Sequence, residues 1–328
     1  MVYALQRFHN PWHPILSAEL HERRNPMKLS LESLVAGVDR GWKSMHTACG
    51  LRSCKTTLLM RSVPQSRGGI RMGELWYCSV DCFVKAVRER FSTLPARRPL
   101  EMPHNPRLSI GLVMLSKGYL TDEQFRLALA QSQSTGEELE SVLVRHGWAD
   151  EWQLSSARAA QWGYPVLGRD RISQSVDADI PMTLLRSFSA VPLHYSKHAR
   201  RLLLGFVYRV EHTLLHSIEQ VTGCRAEPCF ITPTEFCYQM ERVTAAQDSR
   251  EVVLDDSFTP ADMAKTLGGF ALEVVAREAS LAHCQKYLWT RLSGKRRSID
   301  VLFQNRRSIE MNKREDLWSS QEEIRSAG

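Results

Sequence analysis

Two close pairs of cysteines limit what this chain can fold into more than any other feature. Cys49 and Cys54 enclose four residues, Cys78 and Cys82 enclose three, and 23 residues separate the pairs. Each pair can offer two thiolates from one knuckle, and the turn-rich stretch from Pro64 to Gly73 can fold back to join them, which is what a tetrahedral zinc site needs. Four protein ligands close the coordination sphere and leave no water to activate. Zinc at Cys49, Cys54, Cys78 and Cys82 is therefore expected to be structural. The alternative is unliganded thiols, because the first pair departs from the common two-residue knuckle. His46 is the natural substitute ligand; His9, His13 and His21 lie too far upstream to fit one.

The second pair sits in Trp76-Tyr77-Cys78-Ser79-Val80-Asp81-Cys82-Phe83, which resembles the half of treble-clef-like zinc modules in which the second cysteine opens a helix. A reducing cytosol disfavours disulfides, and a cytoplasmic location is expected because the first 20 residues lack the charged start and apolar block of a secretory signal. No apolar run reaches the roughly 18 residues of a membrane span, so no membrane insertion is expected. The formal charge of +7 arises in the first third, where residues 1–104 hold 16 Lys+Arg against 8 Asp+Glu. That excess could steer the segment toward nucleic acid or an acidic partner, or form a solvated face.

Cys49-Gly50-Leu51-Arg52-Ser53-Cys54-Lys55-Thr56 ends like a phosphate-binding loop, but both glycine positions are cysteines, so the backbone cannot wrap a phosphate there. Metalloprotease, nucleophile-elbow and dinucleotide fingerprints are also missing from the sequence, and the chain is expected not to be an enzyme.

The middle of the chain repeats itself. A shift of 29 residues lays Val113 on Val142, Gly118 on Gly147, Gln124 on Gln153, Ala128 on Ala157 and Ala130 on Ala159. Each copy reads as a short apolar helix stopped by glycine, followed by a second helix opened by Thr121 with Gln124 or by Asp150 with Gln153 at capping-box spacing. Phe125, Ala128 and Leu129 are expected to pack against Leu154 and Ala157. Beyond Gln161, extended segments alternate with helical ones: Trp162–Leu167, then a helix over Pro181–Phe188 and strands over Ala190–Tyr195 and Arg201–Val207. A helix over Glu211–Val221, a strand over Ala226–Ile231 and a helix over Thr234–Arg242 follow. Further on, the pattern predicts a helix over Pro260–His283, a hairpin of Tyr287–Leu292 with Ile299–Phe303, and a polar tail from Gln304.

The resulting expectation is an α+β chain. It has an extension over 1–45, a four-cysteine zinc-binding-like module over 46–95, and a central unit over 105–245. The central unit divides into a tandem helical-hairpin bundle (105–163) and a small α/β subdomain (164–245). A C-terminal helix plus β-hairpin with its tail occupies 246–328.

Ile110-Gly111, Met114, Gly118-Tyr119-Leu120-Thr121-Asp122-Glu123-Gln124-Phe125 and Ala128-Leu129 resemble the N-terminal domain of bacterial type II secretion and type IV pilus assembly ATPases. So do Ala160–Val166, Val191-Pro192-Leu193, Leu202-Leu203-Leu204 and Thr222-Gly223. The resemblance implies a domain that docks or regulates such an ATPase, and in one branch binds cyclic di-GMP through two tandem motifs, as a ligand and not a cofactor. Its ligand positions fall here on Gly111, Met114, Gly118, Leu120, Phe125 and Leu129 in the first copy, and on Leu143, Gly147, Leu154 and Gln161 in the second. Several positions depart from the pattern. Ser109 and Glu138 stand in place of Arg, Ser132 in place of Gln, Glu140 in place of the first Gly, and Arg158 in place of Leu. No ATPase phosphate loop occurs in the sequence.

These features point to a non-catalytic interaction or sensor protein whose partner is a protein, with secretion or pilus machinery the implied case. A zinc-containing nucleic-acid-binding regulator is the alternative, resting on the basic first third and lacking a recognition helix.

Overall fold

The structure, a computed structural model, describes residues 46–59, 69–93, 108–168, 172, 179–246, 250–255 and 259–304. The 1–45 extension with His9, His13 and His21, and the tail after Gln304, lie outside the described residues. The chain divides into two units, 1–46 and 47–328, and the features below belong to the second. Among the described residues no helix is long and apolar enough to cross a membrane. The architecture is α+β, with two mixed sheets and nine helices described.

The first segment carries β1 (His46–Ala48), β2 (Thr57–Leu59), β3 (Ile70–Met72), β4 (Leu75–Tyr77) and helix α1 (Val80–Thr93). The repeat follows as α2 (Ile110–Ser116), α3 (Asp122–Thr135), α4 (Leu139–Arg145) and α5 (Glu151–Trp162). Both expected capping boxes form, at Thr121 with Gln124 and at Asp150 with Gln153. Gly118 and Gly147 stop the short helices with φ of 70° and 67°, a backbone that side chains with a Cβ rarely adopt. Val113, Met114, Leu120, Ala128, Val142, Leu143, Leu154 and Ala157 form the buried core of this bundle.

The α/β part comprises α6 (Met182–Ser187), β5 (Ala190–Ser196), β6 (Arg201–Phe206), α7 (His212–Thr222), β7 (Arg225–Phe230) and α8 (Pro233–Ala246). Strand β6 lies between antiparallel β5 and parallel β7, and α7 makes the β6-to-β7 crossover. The extended segment after α5 adds to this sheet, with Phe230 N–H donating to the Pro165 carbonyl at 2.8 Å and Leu167 N–H to the Phe230 carbonyl at 2.9 Å. These elements match the alternation expected over 162–242.

The last part departs from expectation in two places, the end of its helix and an additional strand, β8 (Arg250–Asp255). The helix expected to reach His283 ends as α9 (Pro260–Glu273), and Glu278–Cys284 forms a strand, β9. The chain turns at Val275, which adopts φ of 50°, and Ala276 N–H returns to the Ala271 carbonyl at 2.8 Å. No glycine marks this stop. The expected hairpin is present as β10 (Tyr287–Ser293) and β11 (Ser298–Gln304), and β8 (Arg250–Asp255) runs parallel to β11.

These strands build a six-stranded sheet in the order β4-β3-β9-β10-β11-β8, in which β3 from the cysteine-bearing segment pairs in parallel with β9, about 200 residues later in the chain. Both faces are buried. Leu281, Leu288, Leu292, Ile299, Val301 and Phe303 share a core with α1 and α9. Ala282, Cys284, Tyr287, Trp289 and Leu302 join the core of the α/β part. The period-two alternation of side chains thus feeds two cores from each strand. On the second face the fully buried Asp300 carboxylate accepts from Trp289 Nε1 at 2.7 Å and from Arg291 Nε at 2.9 Å and Nη2 at 2.6 Å.

Burial, with a smaller push from the Asp179 charge, holds the Asp300 carboxyl above its ordinary pKa, and the Arg291 guanidinium and the Trp289 hydrogen bond oppose that shift. Removing one partner of such a pair typically costs about 3–5 kcal/mol. Asp300→Ala is expected to lose stability on that scale in urea unfolding followed by tryptophan fluorescence. A cost of about 1 kcal/mol or less, the worth of an exposed pair, would show that the network does not hold the sheet.

Candidate metal centre and repeat face

Cys49 opens a tight knuckle. Its N–H donates to the Thr56 carbonyl at 2.9 Å, Gly50 N–H donates to the Trp76 carbonyl at 2.7 Å, and Cys54 N–H closes the turn on the Leu51 carbonyl at 2.8 Å. These bonds lay the knuckle against β4. Cys78 directly follows β4, and Cys82 lies in the first turn of α1, where its N–H donates to Ser79 Oγ at 3.2 Å. Knuckle, hairpin and helix start therefore aim four sulfurs at one point, as the sequence spacing predicts.

The four Sγ atoms lie within 4.8 Å of one another. Cys54 and Cys78 are 3.6 Å apart, as are Cys78 and Cys82. Tetrahedral zinc with Zn–S of about 2.3 Å requires S···S separations of roughly 3.8 Å, so this cluster can coordinate a metal without rearrangement of its backbone. All four are free thiols. Soft sulfur donors in a closed set of four favour zinc over hard cations. Hydrogen bonding to Thr56 pulls the Cys54 thiol down to about 6, whereas burial, followed by its thiol neighbours Cys82 and Cys54, pushes Cys78 up to about 12. Cys284, expected to be buried and unreactive, is fully buried, and burial raises its thiol to about 12. The side chain of His46, the substitute ligand, lies outside the described residues.

The positions carried over for a dinucleotide ligand are distributed unevenly. Met114, Leu120, Leu143 and Leu154 are core residues of the bundle. Gly118 and Gly147 are turn residues, and Gln161 Nε2 donates to the Leu108 carbonyl at 2.6 Å. A Cβ on Gly111 would fall 2.2 Å from the Phe125 ring, so the half-buried Phe125 fills the space that glycine leaves. Leu129, expected in the core with Phe125, is instead exposed. Its α3 helix buries only Ala128 among the described side chains.

The second copy differs at the equivalent places. Glu140 occupies the position of Gly111, Arg158 that of Leu129, and the two side chains form an ion pair. Arg158 is buried, donates to the Val207 carbonyl at 3.2 Å, and lies over the Tyr208 ring at 5.3 Å. Ser155 Oγ donates to the Ile231 carbonyl at 3.3 Å, and Thr234 N–H donates to Glu151 at 3.2 Å. Two departures from the tandem pattern are therefore a single compensated pair, and the α5 face is consumed in joining the bundle to the α/β part. The sequence showed both residues but not that they meet. Their 18-residue separation spans two helices with no periodic relation.

No family model matches the chain. Type IV pilus assembly ATPase PilB of Thermus thermophilus is 27% identical over 135 residues, which is 40% of this chain and 15% of that protein. The matched segment thus spans a small fraction of that relative. Among solved structures, MshE with cdg has a TM-score of 0.35 at 21% identity, covering 42% of this chain and 99% of that one. The N-terminal domain of XpsE has a TM-score of 0.31 at 18% identity, covering 40% and 92%. Over about 40% of its length the chain thus shows a distant similarity to the N-terminal domain of type II secretion and type IV pilus ATPases.

Two outcomes follow. Protein purified without chelator should contain about one zinc per chain, and Cys78→Ser with Cys82→Ser should lose it, read by metal analysis against protein concentration. Glu140→Ala should cost about 3 kcal/mol by leaving a buried guanidinium unpaired, and adding Arg158→Leu should recover part of that loss. Simple additivity of the two substitutions in denaturant unfolding would show that the pair is not coupled.

Proposed function

We propose that this chain is a non-catalytic, cytoplasmic docking and regulatory protein whose central region, 105–245, receives a protein partner from a secretion or pilus machine. Its four cysteines hold one structural zinc. In this reading the central region is a unit inserted between two segments, 46–95 and 246–328, whose described parts share one core.

The observation that carries the reading is the asymmetry of the two repeat copies. The second copy spends its helix face on the α/β part through Glu151, Ser155 and Arg158. Among the described residues the equivalent positions of the first copy, Asp122, Arg126 and Leu129, make no hydrogen bond to the α/β part; Asp122 and Arg126 pair with each other, and Leu129 on α3 and Leu112 on α2, the helices that meet at Phe125 and Gly111, are 38% and 46% exposed. Exposed leucines on two adjoining helices offer a surface suited to a partner or a flat apolar ligand. Cyclic di-GMP is the ligand class to test, being the one the repeat motifs imply, and MshE was solved with cdg. Phe125 and Leu129 would meet its guanine faces, whereas the Glu140–Arg158 ion pair occupies the equivalent place in the second copy. This predicts one ligand per chain at most, not two.

Leu112→Glu with Leu129→Glu in the full chain should abolish capture of a secretion or pilus ATPase that the unaltered chain retains on a column. Calorimetry with cyclic di-GMP separates the two uses of the face. Heat lost in the same variant supports ligand binding, and no heat at tens of micromolar ligand retires it. Recovery of no secretion or pilus component by the unaltered chain would retire the docking reading.

A further inference from the structure

The segment bearing the cysteines cannot hold itself together by burial alone. Its strands β3 and β4 have three residues each, and a lone two-stranded hairpin is marginal in water even when longer. Units below about 70 residues rarely hold together on one core and are commonly supported by a metal, disulfides or a partner surface. This segment has two such supports, and they act on the same elements. The sulfurs of Cys78 and Cys82 tie the end of β4 to the start of α1. The other faces of that same hairpin and helix rest on the C-terminal part of the chain.

The resting surface is specific. Arg71 pairs with Glu278 and Met72 with Ala279 in parallel register, and Arg71 N–H donates to the Arg277 carbonyl at 2.7 Å. Phe83, Val87 and Phe91 of α1 share a core with Ala264, Leu267 and Ala271 of α9. Phe91 meets Phe303 of β11 edge-on, ring centroids 6.4 Å apart. The helices approach closely at Gly268, where a Cβ would fall 2.6 Å from Val84 Cγ2. Tyr77, beside Cys78, packs edge-on against Phe83 at 6.3 Å and so connects the cluster to the α1 face.

We infer that the β9 edge and the apolar face of α9 form a docking surface whose occupant is the metal-loaded 49–93 segment, so that metal occupancy determines whether this surface is covered. The inference rests on the zinc reading of the four cysteines and extends it from a local staple to a coupling between sequence-distant parts of the chain. Coupling of this kind is reciprocal: whatever factor the metal adds to docking, docking adds to metal affinity. Without metal, β3 and α1 lose the geometry that pairs them, and β9 becomes an open strand edge beside an uncovered apolar helix.

The test uses the full chain. Hydrogen exchange over 260–284 is followed in the zinc-loaded protein, after removal of zinc by chelator, and after zinc is added back, with 108–162 as internal control. Removal is expected to speed exchange over 260–284 tenfold or more and re-addition to restore it, with the control unchanged. Gly268→Leu supplies the reciprocal arm. It keeps all four thiols but presses α1 away from α9, and should bind zinc about tenfold or more weakly in competition with a colorimetric chelator. Unchanged exchange over 260–284 after zinc has left, or unchanged zinc affinity in Gly268→Leu, overturns the coupling while leaving the zinc site intact. Failure of the unaltered chain to take up zinc at all removes both readings.

Discussion

Burial of the six-stranded sheet on both faces is the constraint on which the other parts depend. Strands β10 and β11 alternate their side chains between a core shared with α1 and α9 and a core shared with the α/β part. A sheet covered on both sides has no solvated face to relieve a polar residue. The Asp300 carboxylate therefore needs Trp289 and Arg291 around it, and the Arg291 guanidinium also donates to the Asp179 carbonyl at 2.7 Å. That last bond reaches the start of the α/β part from the middle of the sheet. A single charged group thus orients the sheet against the layer below it, with a specificity that apolar contacts alone do not supply.

Much of this arrangement can be read locally in the sequence. The capping boxes at Thr121 and Asp150, the glycine stops at Gly118 and Gly147, the hairpin of β10 and β11 and the knuckle spacing of the cysteines all depend on residues within a few positions of one another. What escapes is either nonlocal or lacks a marker. Strand β9 escapes the local pattern because the turn that follows α9 is made at Val275, a β-branched residue at positive φ where glycine would be the expected signal. The parallel pairing of β3 with β9 joins residues about 200 apart, and no local pattern encodes such register. The apolar residues of α1 look in the sequence like the face of an independent module. Their partners Ala264, Leu267 and Ala271 become visible only once the two ends of the chain meet.

The candidate sites divide in the same way. Four cysteines with knuckle spacing carry their chemistry in residue type and separation, so the convergence of their sulfurs is anticipated. The ligand positions of the repeat carry only residue type. Phe125 and Leu129 read alike as apolar members of one helix, yet Phe125 turns inward to fill the space above Gly111 while Leu129 stays exposed. In the second copy Glu140 and Arg158 look like two independent departures, each unfavourable by itself. Together they neutralise one another, and Arg158 donates onward to the Val207 carbonyl. Replacing a glycine–leucine pair by a glutamate–arginine pair keeps the helices in register and converts an open helix face into an internal joint.

That conversion bears on how the two halves of the molecule divide their work. Copy two, through Arg158 and Ser155, fastens the bundle to the α/β part. The α/β part in turn lies against the second face of the large sheet, where Ser217 of α7 donates to the His283 carbonyl of β9 at 3.1 Å. Strand β9 is therefore contacted on one side by the α/β part and at its edge by β3 of the cysteine-bearing segment. Because β3 bonds to its edge and Ser217 of α7 to its backbone, β9 is held from two directions by hydrogen bonds whose partners lie far apart in sequence, which fixes its position more specifically than apolar burial alone.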